Sequence, residues 1–263
     1  MKAKILSLIA LTALSPALSY AATQPTTPAQ KAQIEQVVHD YILSNPQIIM
    51  EAVQILQKKQ MDEMQQSVLK TQGVAAKYAE SLFHQTNDPI AGNPQGKVTL
   101  VEFLDYQCGH CIEMSAMVDA SIKKNPDLRV VFKQFPIRGP VSTVAAKAAL
   151  AANQQGKYFE FHNAMMQAVM KGQPLTENDI YQIAKNVGLN VDKLKTEMND
   201  TTVDQSLKNT YKLAQELKLF GTPAFFIGKT SLAKNAAAGS ITYIPGGMSD
   251  KQLQELIDKN NKG

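Results

Sequence analysis

Apolar residues recur along this chain with two different periods, and the change of period divides it. Ile34, Val37, Val38, Tyr41 and Ile42 follow helical spacing. Thr27 stands at the expected N-cap, with Pro28 at the first helical position and Gln30 where a capping box needs an acceptor. Ser44-Asn45-Pro46 ends that helix and opens another, because the residue before proline avoids helical geometry while proline suits a first turn. The second helix carries Ile48, Ile49, Ala52, Val53, Ile55 and Leu56, and thins through Met61, Met64, Val68 and Leu69. Two helices cannot bury so wide a stripe between them. It must cover the domain that follows or meet the same segment of a second chain.

Strand signals begin only after the turn-rich stretch Asn87–Gly96, which marks a boundary. Val98–Asp105 is a branched, apolar run of strand length. Ile112–Lys124 reads as a helix ended by Asn125-Pro126-Asp127, and Leu128–Phe135 as a second strand closed by Pro136. Strand, helix and strand in that order imply a parallel pair with a right-handed crossover. From Val141 to about Leu219 the pattern is helical: Val141–Ala152, Lys157–Met170, Glu177–Val187, Val191–Met198 and Val203–Leu217. Strands return at Ala224–Gly228 and Ile241–Ile244, and Ser249 caps a last amphipathic helix. The expected architecture is α/β, with a helical block at about 138–219 inserted between two halves of one sheet. Residues 22–84 are expected to form an N-terminal helical extension and 85–263 the main domain.

The first residues follow neither period. Lys2 and Lys4 precede the apolar stretch Ile5–Leu18, and Ser19-Tyr20-Ala21 supplies small residues for a signal peptidase, so residues 1–21 are expected to be a secretory signal. A membrane anchor fits less well. The stretch is interrupted by Ser7, Thr12, Ser15 and Pro16 and is shorter than the roughly 20 residues a spanning helix needs. Cleavage after Ala21 removes two lysines and no acid, and the formal charge falls from +4 to +2. So mild a balance gives no reason to expect nucleic acid as a partner.

Export decides how the two cysteines, Cys108 and Cys111, are read. Two cysteines cannot staple a chain of this length, so a structural disulfide framework is excluded. A disulfide-exchange site needs an attacking thiolate, a resolving thiol within reach, and a way to move protons. Cys108 falls where a strand ends and a helix begins, where unpaired N–H groups and the helix dipole favour its charged form. His110 adds a neighbour that can be cationic. Cys111 lies one turn on, inside the helix, as the shielded resolving thiol. Half a zinc site is the rival reading, but zinc takes four ligands, no other cysteine exists, and only His39, His84, His110 and His162 are available to assist.

Glu102 lies in the apolar strand six residues before Cys108, where a carboxylate is costly unless it has work to do. Buried beneath the cysteines, it would exchange a proton with Cys111; strand alternation can instead turn it to solvent. Asp105 reads either as a lesser electrostatic partner or as a solvated strand end. Thr222-Pro223, after Gly221 and before a strand, is by itself ordinary turn punctuation, since only about 5% of X–Pro bonds are cis.

Taken together, Phe103-Leu-Asp-Tyr-Gln-Cys-Gly-His-Cys111, Phe132-Lys-Gln-Phe-Pro136, the helical insertion and Phe220-Gly-Thr-Pro-Ala-Phe-Phe-Ile227 resemble the DsbA family of bacterial periplasmic thioredoxin-fold proteins. The resemblance covers roughly residues 95–260. It implies a thioredoxin fold and a periplasmic thiol–disulfide oxidoreductase without a cofactor. It makes Thr222-Pro223 the cis-proline loop that offers backbone groups to a substrate chain, and Glu102 the family's buried acid. It further implies unfolded or misoxidised exported proteins as clients and a membrane redox partner of DsbB or DsbD type. Two departures bear on activity: Gly-His rather than Pro-His separates the cysteines, and Thr precedes Pro223, as in dimeric isomerases. The segment Ile34–Pro46 is similar to the extension of dimeric DsbA-like proteins, which implies a homodimer. A dithiol-state isomerase or reductase, and a non-catalytic chaperone dimer, remain the alternatives.

Overall fold

Five runs of branched and aromatic residues assemble into one mixed sheet. The computed structural model describes residues 26–172, 175–232 and 236–262; the expected signal segment, 1–21, lies outside them. Strands β1 (Ile90–Gly92), β2 (Val98–Leu104), β3 (Leu128–Gln134), β4 (Ala224–Lys229) and β5 (Thr242–Pro245) lie in the order β1-β3-β2-β4-β5. β2 and β3 are parallel, with Glu102 opposite Phe132, and the other neighbours are antiparallel. Helix α4 (Gly109–Lys124) connects the parallel pair, as such a pair requires. β1 was not expected. It is three residues long, too short to show a period, and exists because Ile90–Gly92 pairs with Arg129–Val131. Gly92 closes it at φ 77°, where a Cβ would stand 2.5 Å from the Leu128 carbonyl oxygen, so only glycine fits.

β2 and β3 are buried at every position, which is why neither alternates in sequence. On one face Leu100, Leu104, Phe132 and Phe225 pack with α4, with α6 (Tyr158–Met170) and with α10 (Asp250–Asn261). Helices α5 (Pro140–Gln154), α6, α7 (Glu177–Asn186), α8 (Val191–Glu197) and α9 (Thr201–Glu216) form the insertion between β3 and β4. The opposite face, with Val101, Phe103, Val131 and Phe226, is covered by Leu213 and Ala214 of α9 and by Leu82 and Phe83 of α3 (Ala79–Phe83). Lys133, wholly buried on this face, donates to the Ser81 carbonyl at 2.6 Å and pairs with the carboxylate of Asp88. A buried pair of this kind is no proof of net stabilisation, but breaking it strands a charge.

The chain divides into two compact units between Lys59 and Gln60. In the first, α1 (Pro28–Ser44) carries the capping box read from Thr27 and Gln30, and not one of its residues is buried. The division falls within α2 (Gln47–Ala75). Past it, Thr71 donates to the Leu217 carbonyl at 2.8 Å, and Gln72 bonds both to the Ile241 carbonyl and to the Tyr243 N–H. Ala75, Ala79, Leu82 and Phe83 join the core. Residues 60–84, placed by sequence with the extension, therefore belong with the sheet. Helical spacing tells where a stripe runs, not which surface covers it. No helix among the described residues is long and apolar enough to cross a membrane.

Candidate active site at Cys108 and Cys111

Cys108 is the N-cap of α4, with extended backbone (φ −90°, ψ 114°), because its own N–H is turned back to the Asp105 carbonyl at 3.0 Å. Its sulfur is buried and its S–H donates to the Thr222 carbonyl at 3.1 Å. The Thr222–Pro223 peptide is cis, and the Pro223 carbonyl accepts from Gly246 N–H at 2.9 Å, which ties this loop to the end of β5. Gly109 and His110 are exposed, and a Cβ added at Gly109 would meet only open space.

The two thiols differ sharply in acidity. Cys108 is lowered to about 5, chiefly because the Cys111 side chain hydrogen-bonds to its sulfur; burial opposes this, and Thr222, the Cys111 N–H and the Arg138 charge assist. The Thr222 hydroxyl makes no hydrogen bond of normal length and is buried, yet it lies close enough to favour the thiolate. Cys111 is pushed far up, first by its bond to Cys108 and then by burial and by Glu102. One thiol is thus a ready nucleophile and leaving group, and the other holds its proton.

Glu102 is 1% exposed, and neither carboxyl oxygen has a hydrogen-bond partner. Burial, and next the negative charge of Cys108, raise it to about 8. Of the two orientations the sequence left open, the buried one holds, because β2 is covered on both faces. Asp105 is not the solvated strand end that was one of its two readings. It is buried and accepts from Gln107 N–H (2.8 Å), Ile137 N–H (2.8 Å), Arg138 N–H (2.9 Å) and the Ser142 hydroxyl (2.7 Å), pinning the β3–α5 loop beside the thiols.

A cation that the sequence reading missed also acts on Cys108. His110 is exposed, with Nδ1 3.1 Å from Glu113 Oε2, and Arg138 is a positive charge that helps to lower Cys108. Arg138 lies 30 residues from Cys108 and carries no motif, so only the Asp105 anchor, itself a tertiary contact, reveals it. No group of three or more His, Cys, Asp or Glu side chains able to hold a metal occurs among the described residues.

A dithiol at a helix N-cap, faced by a cis-proline loop and backed by a buried acid on a five-stranded mixed sheet, defines a thioredoxin-fold thiol–disulfide exchange protein. Comparison with known sequences agrees. The DSBA-like thioredoxin domain matches residues 99–257, and the chain belongs to this family of DsbA-like thiol–disulfide oxidoreductases. The N-terminal domain of the copper resistance protein ScsC matches residues 30–63. Among solved structures, BcfH of Salmonella enterica Typhimurium is 31% identical with a TM-score of 0.63, covering 89% of this chain and 97% of that one. A thioredoxin-like oxidoreductase of Silicibacter pomeroyi is 37% identical, with a TM-score of 0.60 and coverage of 70% and 98%. The Na(+)/H(+) antiporter NhaA 3 of Salinispora tropica matches at 25% identity over 142 residues. That match takes in 53% of this chain but only 21% of the antiporter's length.

Proposed function

We propose that the protein is a periplasmic thiol–disulfide oxidoreductase that introduces and isomerises disulfides in exported proteins. The observation that carries this reading is the split between the thiols: Cys108 at about 5 and Cys111 far above its ordinary value, with Glu102 alongside. In the oxidised form a client thiolate attacks Cys108 Sγ and the Cys108–Cys111 bond breaks. Cys111 leaves with the electron pair and takes its proton from Glu102. A second client thiolate then attacks the client sulfur of the mixed disulfide, Cys108 departs as thiolate, and two electrons have passed from client to protein. In the reduced form Cys108 attacks a wrong disulfide and reshuffles it. The Thr222 carbonyl and the cis-proline loop receive the client backbone. A membrane partner of DsbB type would restore the disulfide, and one of DsbD type the dithiol.

The N-terminal pattern Lys2–Ala21 supports export. Exposed Val37 (68%) and Ile55 (70%), with Ile34, Tyr41, Leu43 and Leu56 also exposed, form more apolar surface than a solitary chain usually presents, which supports self-association. A homodimer is the smallest closed assembly.

The test is mechanism-based trapping. Cys111→Ser lacks the resolving thiol and should accumulate mixed disulfides with periplasmic proteins through Cys108, whereas Cys108→Ser should accumulate none. Equal trapping by the two variants overturns the assignment of roles, and no trapping by either overturns the function. Thiol labelling of the wild-type protein in cells then decides direction: mostly disulfide means oxidase, mostly dithiol means isomerase.

A further inference from the structure

A helix that opens on a redox-active sulfur lacks a permanent cap. The first N–H groups of any helix have no partner within it, and a polar side chain at the N-cap ordinarily accepts from one of them and fixes the turn. Helices α1, α7, α8, α9 and α10 are capped in this way by Thr27, Thr176, Asn190, Asp200 and Ser249. α4 opens on Cys108, whose side chain makes no such bond. As a thiol it donates the other way, to the Thr222 carbonyl; as a thiolate it is favoured by the Cys111 N–H. In a disulfide, with Cys111 or with a client, it carries no charge to draw that N–H. A cap of this kind comes and goes with each step of the exchange.

The turn is held instead from three residues upstream. The Asp105 carbonyl accepts from the Cys108 N–H at 3.0 Å. Asp105 Oδ1 accepts from the Gln107 N–H at 2.8 Å, the local bond that an aspartate makes to the backbone two residues on. Ser142, in the first turn of α5, closes the grip: its hydroxyl donates to the same Oδ1 at 2.7 Å and accepts from Gln107 Nε2 at 2.9 Å. Asp105 Oδ2 accepts from the Ile137 and Arg138 N–H groups, so two loops share one anchor. Asp105 and Ser142 are buried, and none of these bonds involves a sulfur. We propose that Asp105 is a positioning residue for disulfide exchange: it holds the Gln107–Cys108 turn in the geometry of a capped helix whatever the state of Cys108. The first N–H groups of α4 then stay in place for the sulfur that becomes negative, and the turn need not be ordered when the charge appears.

This role rests on Cys108 as the nucleophile, which client trapping tests; the positioning itself is read on the protein alone. Asp105→Asn keeps the shape but sets an amide N–H2 against donors that an oxygen accepted. In the reduced, mature protein, ultraviolet titration of Asp105→Asn should find Cys108 raised by about half a pH unit or more, the size of a lost helix cap. The sign is decisive. If Asp105 acted only as a nearby negative charge, its replacement would lower Cys108, so a Cys108 lowered or unmoved in folded Asp105→Asn overturns the proposal. The rise should persist when Arg138→Ala is added; a rise seen only with Arg138 present means that Asp105 merely places that charge, and overturns the proposal too. Ser142→Ala, which removes one donor and the Gln107 Nε2 contact, should raise Cys108 by less, and a fall there overturns the proposal. In the wild-type protein the Gln107 and Cys108 amides should exchange slowly and alike in the reduced and oxidised forms. Amides protected in one form and open in the other overturn the proposal, even where Asp105→Asn fails to fold. If Cys108 rises as expected while no client is trapped, the positioning holds and the proposed function fails instead.

Discussion

Raising the pH from 6 to 7.5 should stabilise the reduced protein relative to the oxidised protein by up to about 1.4 kcal/mol per pH unit. The perturbation is pH alone, and the magnitude follows from Cys108. Its folded value near 5 lies below the roughly 8.5 of an unfolded thiol, so across this window the unfolded reduced chain binds one proton that the native state does not. A depressed value of this kind stabilises the native state fully above about 8.5, and the contribution is lost as pH falls through about 5. Cys111 adds nothing, since it is protonated in both states. Glu102, raised to about 8, has the opposite sign: the native state holds a proton that the unfolded chain lost near 4.3, and stability falls as pH rises. Burial, its largest cause, is present with or without the disulfide, whereas the Cys108 charge is present only in the reduced form, so Glu102 cancels in part and the slope falls below about 1.4 kcal/mol per unit toward the top of the window. His162, near 3, and Asp88, raised to about 6, cancel. The reduced protein should thus be nearly flat with pH while the oxidised protein declines. Urea titrations of both forms at pH 6, 6.5, 7 and 7.5 measure the difference. A difference that does not change with pH would refute the assignment of a native Cys108 thiolate.

Four further outcomes follow from other contacts. Thr222→Val keeps the shape of the loop but removes a hydroxyl that favours the thiolate, so ultraviolet titration should find Cys108 raised and the reduction potential lowered, with the fold intact. Arg138→Ala should raise Cys108 in the same direction but by less, and the effect should shrink further in about 1 M salt, because the guanidinium is on an exposed residue. Lys133→Ala leaves Asp88 buried without its cation and should destabilise by about 3 kcal/mol or more in equilibrium unfolding, with Cys108 acidity unchanged. Deleting residues 22–59, rather than 22–84, should give a folded, redox-active monomer by light scattering; a deletion that also takes Ala75–Phe83 should not fold, because it uncovers Val101, Phe103 and Phe226.

The elements that announce themselves locally were legible before any coordinates. The capping box at Thr27 and Gln30 and the caps at Ser249 and Cys108 are set by residues within one turn of each other. The parallel β2–β3 pair follows from a strand, helix and strand in succession, and Cys108 with Cys111 from spacing on one helix. Everything that depends on which distant surface arrives was decided in three dimensions. β1 exists only against β3, and the end of α2 leaves the extension because Leu217, Ile241 and Tyr243 meet it. Glu102 is buried because helices cover both faces of its strand. Arg138, a cation that helps to lower Cys108, is held by the hydrogen bond from its N–H to Asp105, and Tyr106 meets His162 from 56 residues away. Periodicity and capping are properties of a few neighbouring residues, whereas the acidity of a thiol or a carboxyl is set by whatever the folded chain places around it.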